Sequence, residues 1–101
     1  MFVVMNRLSA PAEFGGRVEQ GFAHSTPGMQ NLSGFVNFRL LKLRGENEAE
    51  VLYIAETTWQ DEASYEAWRN GDSFARAHGG PSGGNSPLKS ALELFEVVHS
   101  V

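Results

Sequence analysis

Asn6 stands inside the apolar run Phe2-Val3-Val4-Met5-Asn6-Arg7-Leu8, a setting in which asparagine is disfavoured. It shares parity with Phe2, Val4 and Leu8, so its amide points where a core should be. Such an amide is either satisfied by a neighbouring backbone group or held as a donor for a bound ligand. Trp68 follows Tyr65 by three residues, a helical spacing that fits core packing or a bulky wall against a flat ligand. His78 closes a short helical stretch just before Gly79-Gly80. There it is a surface group favoured by the helix dipole or, as a neutral ring, a nitrogen ligand for iron, with the glycines allowing close approach. His24, at a helix end, and His99, in the tail, read as surface groups and are spare ligand candidates. Taken singly, each of these residues is explained as well by packing or solvation as by chemistry.

The rest of the composition narrows the choices. The chain has no cysteine, which removes disulfides, thiolate zinc sites, iron–sulfur clusters and thiolate-ligated haem. A net charge of -4 and a pI near 5.3 offer no basic field for a phosphate backbone, so nucleic acid is not an expected partner. No apolar run spans a bilayer and no start resembles a signal peptide, which gives the expectation of a cytoplasmic protein away from membranes. No glycine-rich phosphate fingerprint follows a strand, and no metal-ligand cluster or serine nucleophile elbow is present. The carboxylates Asp61, Glu62, Glu66 and Asp72 fall at helix starts and outer faces, where dipole and solvation account for them.

The elements that must position these residues follow from periodicity. With 42% hydrophobic and 20% charged residues, 101 residues make one folded domain spanning 1–101 rather than a disordered chain. A first strand runs from Phe2 to Leu8 and stops at Pro11. A helix from Ala12 to about His24 places Phe14, Val18 and Phe22 on one face, weakened by Gly15, Gly16 and Gly21. Ser25-Thr26-Pro27-Gly28 breaks it, and a second strand opens at Gly34 and runs to Leu43, with a parity slip near Leu41 that suggests a bulge or a strand covered on both faces. A polar turn over Arg44 to Glu48 leads into a third strand from Val51 to Trp59. Asp61 caps a helix ending near Asn70-Gly71, and Asp72 caps a shorter one carrying Phe74 and His78. The loop Pro81 to Pro87 suits a lid, and a strand from Leu92 to Val98 closes the chain. The order βαββαβ predicts an α+β, ferredoxin-like fold with an antiparallel sheet covered by helices on one face. Phe35, Leu41, Tyr53, Phe95 and Val97 put apolar groups on both parities, so the second face is expected to pack against another copy in a homodimer.

Taken together, Met5-Asn6-Arg7-Leu8, Gly34-Phe35, Thr58-Trp59 through Ala67-Trp68, and Phe74-Ala75-Arg76-Ala77-His78 resemble the IsdG-type haem-degrading monooxygenases. These belong to the antibiotic-biosynthesis-monooxygenase (ABM) superfamily of dimeric α+β barrels, and the likeness covers nearly the whole chain. Trp68 precedes His78 by ten positions, which fits that family. The Trp59 stretch is shared across the superfamily and supports fold more than activity. The resemblance implies that haem is both cofactor and substrate, with His78 as the axial iron ligand. It also implies that Asn6 donates a hydrogen bond to the oxygen activated at the iron, that Trp68 presses on and ruffles the ring, and that Phe22 lies against it. The implied reaction opens haem with O2 and electrons from an external donor or reductase, releasing iron. Two alternatives stand beside it: a cofactor-free monooxygenase of an aromatic polyketide, and a haem carrier or sensor without turnover. No cluster of lysines or arginines presents itself for the haem propionates; Ser25, Arg76 and loop N–H groups are the remaining partners.

Overall fold

A computed structural model describes residues 1–45, 49–71 and 89–101 of the chain. Four strands, β1 (Phe2–Pro11), β2 (Phe35–Lys42), β3 (Glu50–Trp59) and β4 (Lys89–Glu96), form one sheet in the order β2-β3-β1-β4. All three pairings are antiparallel. Two helices, α1 (Gly15–Ser25) and α2 (Glu62–Arg69), interrupt the strands in sequence. The α+β, ferredoxin-like expectation therefore holds for the described elements. The second short helix over Asp72 to His78 and the loop Pro81 to Pro87 lie outside the described residues, as does the turn at 46–48.

Alternation in β1 decides the layering. Phe2, Val4, Leu8 and Ala10 are buried on the helix-covered face, while Met5 and Arg7 point the other way. Two clusters grow on that face. One gathers Phe2, Val4, Met29, Trp59 and Tyr65, with Leu32, Phe35 and Trp68 against it; the other gathers Leu8, Tyr53 and Ala55 with Val18, Phe22, Phe38 and Leu40. Helix α2 supplies the first cluster and α1 the second.

Several boundaries differ from the sequence expectation for local reasons. Strand β1 continues through to Pro11, whose missing N–H ends the pairing only there. The first three residues of the expected helix, Ala12–Phe14, form a 3-10 turn before α1 begins at Gly15. Pro27–Asn31 is a second 3-10 turn, and it buries Met29. The register slip in β2 falls between Phe35 and Asn37, not near Leu41; it lets Phe35 and Phe38 both face the helices while Leu41 points to the opposite face.

Gly34 is where β2 meets α2. Its φ of +77° lies in the region that favours glycine, and a Cβ there would run into the Ser64 side chain. Its carbonyl also accepts from Gln60 N–H at 2.8 Å. Gly34→Ala is therefore expected to destabilise by at least ~1–3 kcal/mol, measured as a lower thermal midpoint. An unchanged midpoint would mean that α2 is not held at this point.

Candidate active site

Asn6 sits at the midpoint between the two clusters. The residue two before it, Val4, belongs to the α2-side cluster, and the residue two after it, Leu8, belongs to the α1-side cluster. Its neighbours across the sheet are Ala55 on β3 and Leu92 on β4. Its Oδ1 is buried and has no hydrogen-bond partner among the described residues. A buried amide left in this way costs about 1–3 kcal/mol, so the fold retains an unmet polar group between its two helix-held aromatic walls. An amide plane turned by 180° would present Nδ2 at the same position, where its N–H groups can donate.

Trp68 forms the wall on one side. Asp61 caps α2 by accepting the Ser64 backbone N–H at 2.8 Å, and hydrogen bonding from Ser64 holds its carboxyl below the ordinary range. The cap sets the phase of the helix, so that Tyr65 and Trp68 face the sheet. The Trp68 ring lies 5.4 Å from that of Trp59 and 6.2 Å from that of Tyr65. Trp59 is fully buried, and its indole N–H donates to Thr57 Oγ1 at 3.0 Å. Trp68 is thus backed by an anchored aromatic pair and is itself only partly buried.

Phe22 forms the wall on the other side, stacked on Phe38 at 5.5 Å. Beyond it, on the β2 edge, is an open groove of about 450 Å3 lined by Phe22, Ala23, Thr26, Phe38 and Leu40, which contains neither Asn6 nor Trp68. Helix α1 is fastened below Phe22 by Tyr53, whose hydroxyl donates to Glu19 Oε2 at 2.5 Å and lies 3.3 Å from the Gly15 carbonyl. Burial, then the hydrogen bond and the charge of Glu19, push the Tyr53 hydroxyl up to about 12. A raised acid pKa means that the folded state favours neutral Tyr53. This contribution is complete below pH 10 and is lost as pH climbs from 10 towards 12. Tyr53→Phe is expected to lower the thermal midpoint at pH 8 and to lose less between pH 10 and 12 than the parent does. Parallel loss in the two proteins would show that Tyr53 does not carry the alkaline transition.

The structure thus brings Asn6, Trp68 and Phe22 onto one face of the sheet. His78 lies outside the described residues; His24, at the end of α1, and His99, in the tail, are exposed. Among the described residues no group of three or more His, Cys, Asp or Glu could hold a metal ion. Sequence reading missed Leu92 and Leu94, which pair with Asn6 and Val4 and lie on the helix side, 46% and 45% exposed. Parity within β4 could have shown that they share a face. Which face that is emerges only from the register with β1.

The matching family model is antibiotic biosynthesis monooxygenase, over residues 1–80. The chain belongs to this family. It is 34% identical over 100 residues to a mycobilin-producing haem oxygenase of Mycobacterium tuberculosis, covering 98% of this chain and 90% of that one. A staphylobilin-producing haem oxygenase of Staphylococcus haemolyticus is 32% identical over 78 residues, which are 77% of this chain and 73% of the relative. The fold matches the haem-degrader MhuD of M. tuberculosis, solved with two haems in its active site, at a TM-score of 0.77 and 31% identity, covering 100% of this chain and 99% of that one. The resemblance to IsdG-type haem-degrading monooxygenases, carried by Met5–Leu8, Gly34-Phe35, Thr58-Trp59 through Ala67-Trp68 and Phe74–His78, agrees with these matches.

Proposed function

We propose that this ABM protein is a haem-degrading monooxygenase that binds haem over Asn6, between Trp68 and Phe22, and opens its ring with O2 and external electrons, releasing iron. The observation that carries the site is Asn6 Oδ1, buried and without a partner among the described residues, between aromatic side chains held by the two helices, in a chain with haem oxygenases among its relatives. A flat, largely apolar macrocycle suits this face: aromatic side chains from the two helices stand on either side of Asn6, and the exposed Leu92 and Leu94 extend the floor. Haem supplies the redox chemistry when bound, and its own ring is the substrate. The protein's work is to hold and orient it. His78 would supply the nitrogen that holds the iron, Trp68 would bear on the ring, and Asn6 would present its amide N–H to the oxygen side.

The same reading includes a homodimer through the second sheet face, an external reductant, and a cytosolic location. Among the described residues no helix is long and apolar enough to cross a membrane. The test is a haemin titration followed at the Soret band, then ascorbate in air. A Soret shift followed by decay and iron release is the expected result. No shift at stoichiometric haemin would leave the cofactor-free monooxygenase of the same family, and a shifted band stable under reductant would leave a haem carrier or sensor.

A further inference from the structure

The face of the sheet turned away from the helices carries a row of charges across all four strands. Arg39 on β2, Glu56 on β3, Met5 on β1 and Glu93 on β4 are successive register partners. Arg39 Nε and Nη2 both donate to Glu56 Oε1, at 2.8 and 2.6 Å, and Arg7 Nε donates to Glu93 Oε1 at 2.5 Å. The belt therefore holds two bases and two acids and has no net charge. Apolar ground lies on either side of it: Val3, Phe95 and Val97 towards one end of the strands, and Leu41, Ile54 and Leu52 towards the other. Leu41, Phe95 and Val97 are 37%, 40% and 38% exposed.

Glu56 is the unusual member. It is only 6% exposed, on a sheet face that no helix covers among the described residues. The Arg39 side chain is 60% exposed, so the pair is fully desolvated only when a partner covers this face, and an ion pair buried in that way seldom adds more than its desolvation costs. What such a pair does add is discrimination, since a partner that leaves one charge unmatched is penalised. Interface cores are generally depleted of charge, so a balanced belt through the middle of this one calls for a reason.

We propose that this belt, through the Arg39–Glu56 pair, makes the second sheet face selective for a second copy of this chain. The proposal rests on the homodimer reading and adds how the partner is chosen. A balanced belt brings no excess charge to an identical balanced belt, whereas a surface of either net sign must desolvate charge without compensation. A polyanion or an anionic membrane surface, which needs an excess of bases, is disfavoured for the same reason.

The test uses charge variants of the full chain in sedimentation velocity at low salt. Arg39→Glu leaves the belt two charges negative, and Glu56→Arg leaves it two charges positive. Each variant alone is expected to self-associate at least ~10-fold more weakly than the parent, and the equimolar mixture is expected to recover association, with the gain lost at high salt. The double variant Arg39→Glu/Glu56→Arg re-forms the pair within the chain and should dimerise like the parent; it controls for singles that fail to fold. Singles that dimerise like the parent, a mixture that gains nothing, or a folded double variant that stays monomeric would overturn the proposal. A monomeric parent would instead overturn the homodimer reading itself.

Discussion

Asn6→Ala is expected to separate binding from turnover. The variant should still shift the Soret band of stoichiometric haemin, because the aromatic walls and the axial ligand are untouched. Haem loss under ascorbate in air should fall by about 10²–10³-fold, the usual cost of removing one positioned donor. A second readout guards against a purely structural explanation. Asn6 Oδ1 has no partner among the described residues, so deleting the amide removes the penalty of that oxygen and leaves only a small void. The ligand-free variant should therefore melt no lower than the parent, and a gain of ~1 kcal/mol would raise the midpoint by roughly 4–8 °C in a domain of this size. A loss of activity together with a clearly lower midpoint would mean that the amide is a satisfied structural group. Normal degradation would mean that the donor lies elsewhere.

That prediction was within reach of the sequence because its premise is local. Parity in Phe2 to Leu8 is enough to turn Asn6 inward, and Asp61 followed by Tyr65 and Trp68 is enough to phase α2 towards the sheet. What could not be read depends on contacts between distant residues. The row Leu40, Ala55, Asn6, Leu92 joins four strands, and only their pairing shows that small Ala55 and exposed Leu92 flank the amide. The Tyr53 hydroxyl meets Glu19 across 34 positions. The bulge was expected near Leu41 because the apolar pattern there breaks parity; the register instead slips between Phe35 and Asn37, where Phe35 must stay with Trp59. The 3-10 turn over Pro27–Asn31 was hidden by a proline and a glycine that signal chain reversal yet leave Met29 inward. Trp68 and His78 were joined by family likeness, since no spacing rule links a partly buried indole to a histidine ten positions on.

His78→Ala carries the larger consequence, because the haem reading depends on it more than on any other residue. With no cysteine in the chain, an axial ligand from the protein must be histidine, methionine or tyrosine. Tyr53 and Tyr65 are buried among core side chains, with Tyr53 committed to Glu19, and Met29 is likewise enclosed. Met1 and Met5 lie on the opposite face, while His24 and His99 are exposed at a helix end and in the tail. By the family likeness, which gives the axial role to His78, His78→Ala is expected to lose the spectral signature of nitrogen ligation and to lower the affinity for haemin by at least about tenfold, with degradation falling below detection. Exogenous imidazole at millimolar concentration should restore part of the ligand signature by filling the space left by the ring, an outcome that misfolding would not produce. A parent-like spectrum in His78→Ala would transfer the axial role to another histidine, and His24→Ala and His99→Ala, which are otherwise expected to be silent, would then identify it.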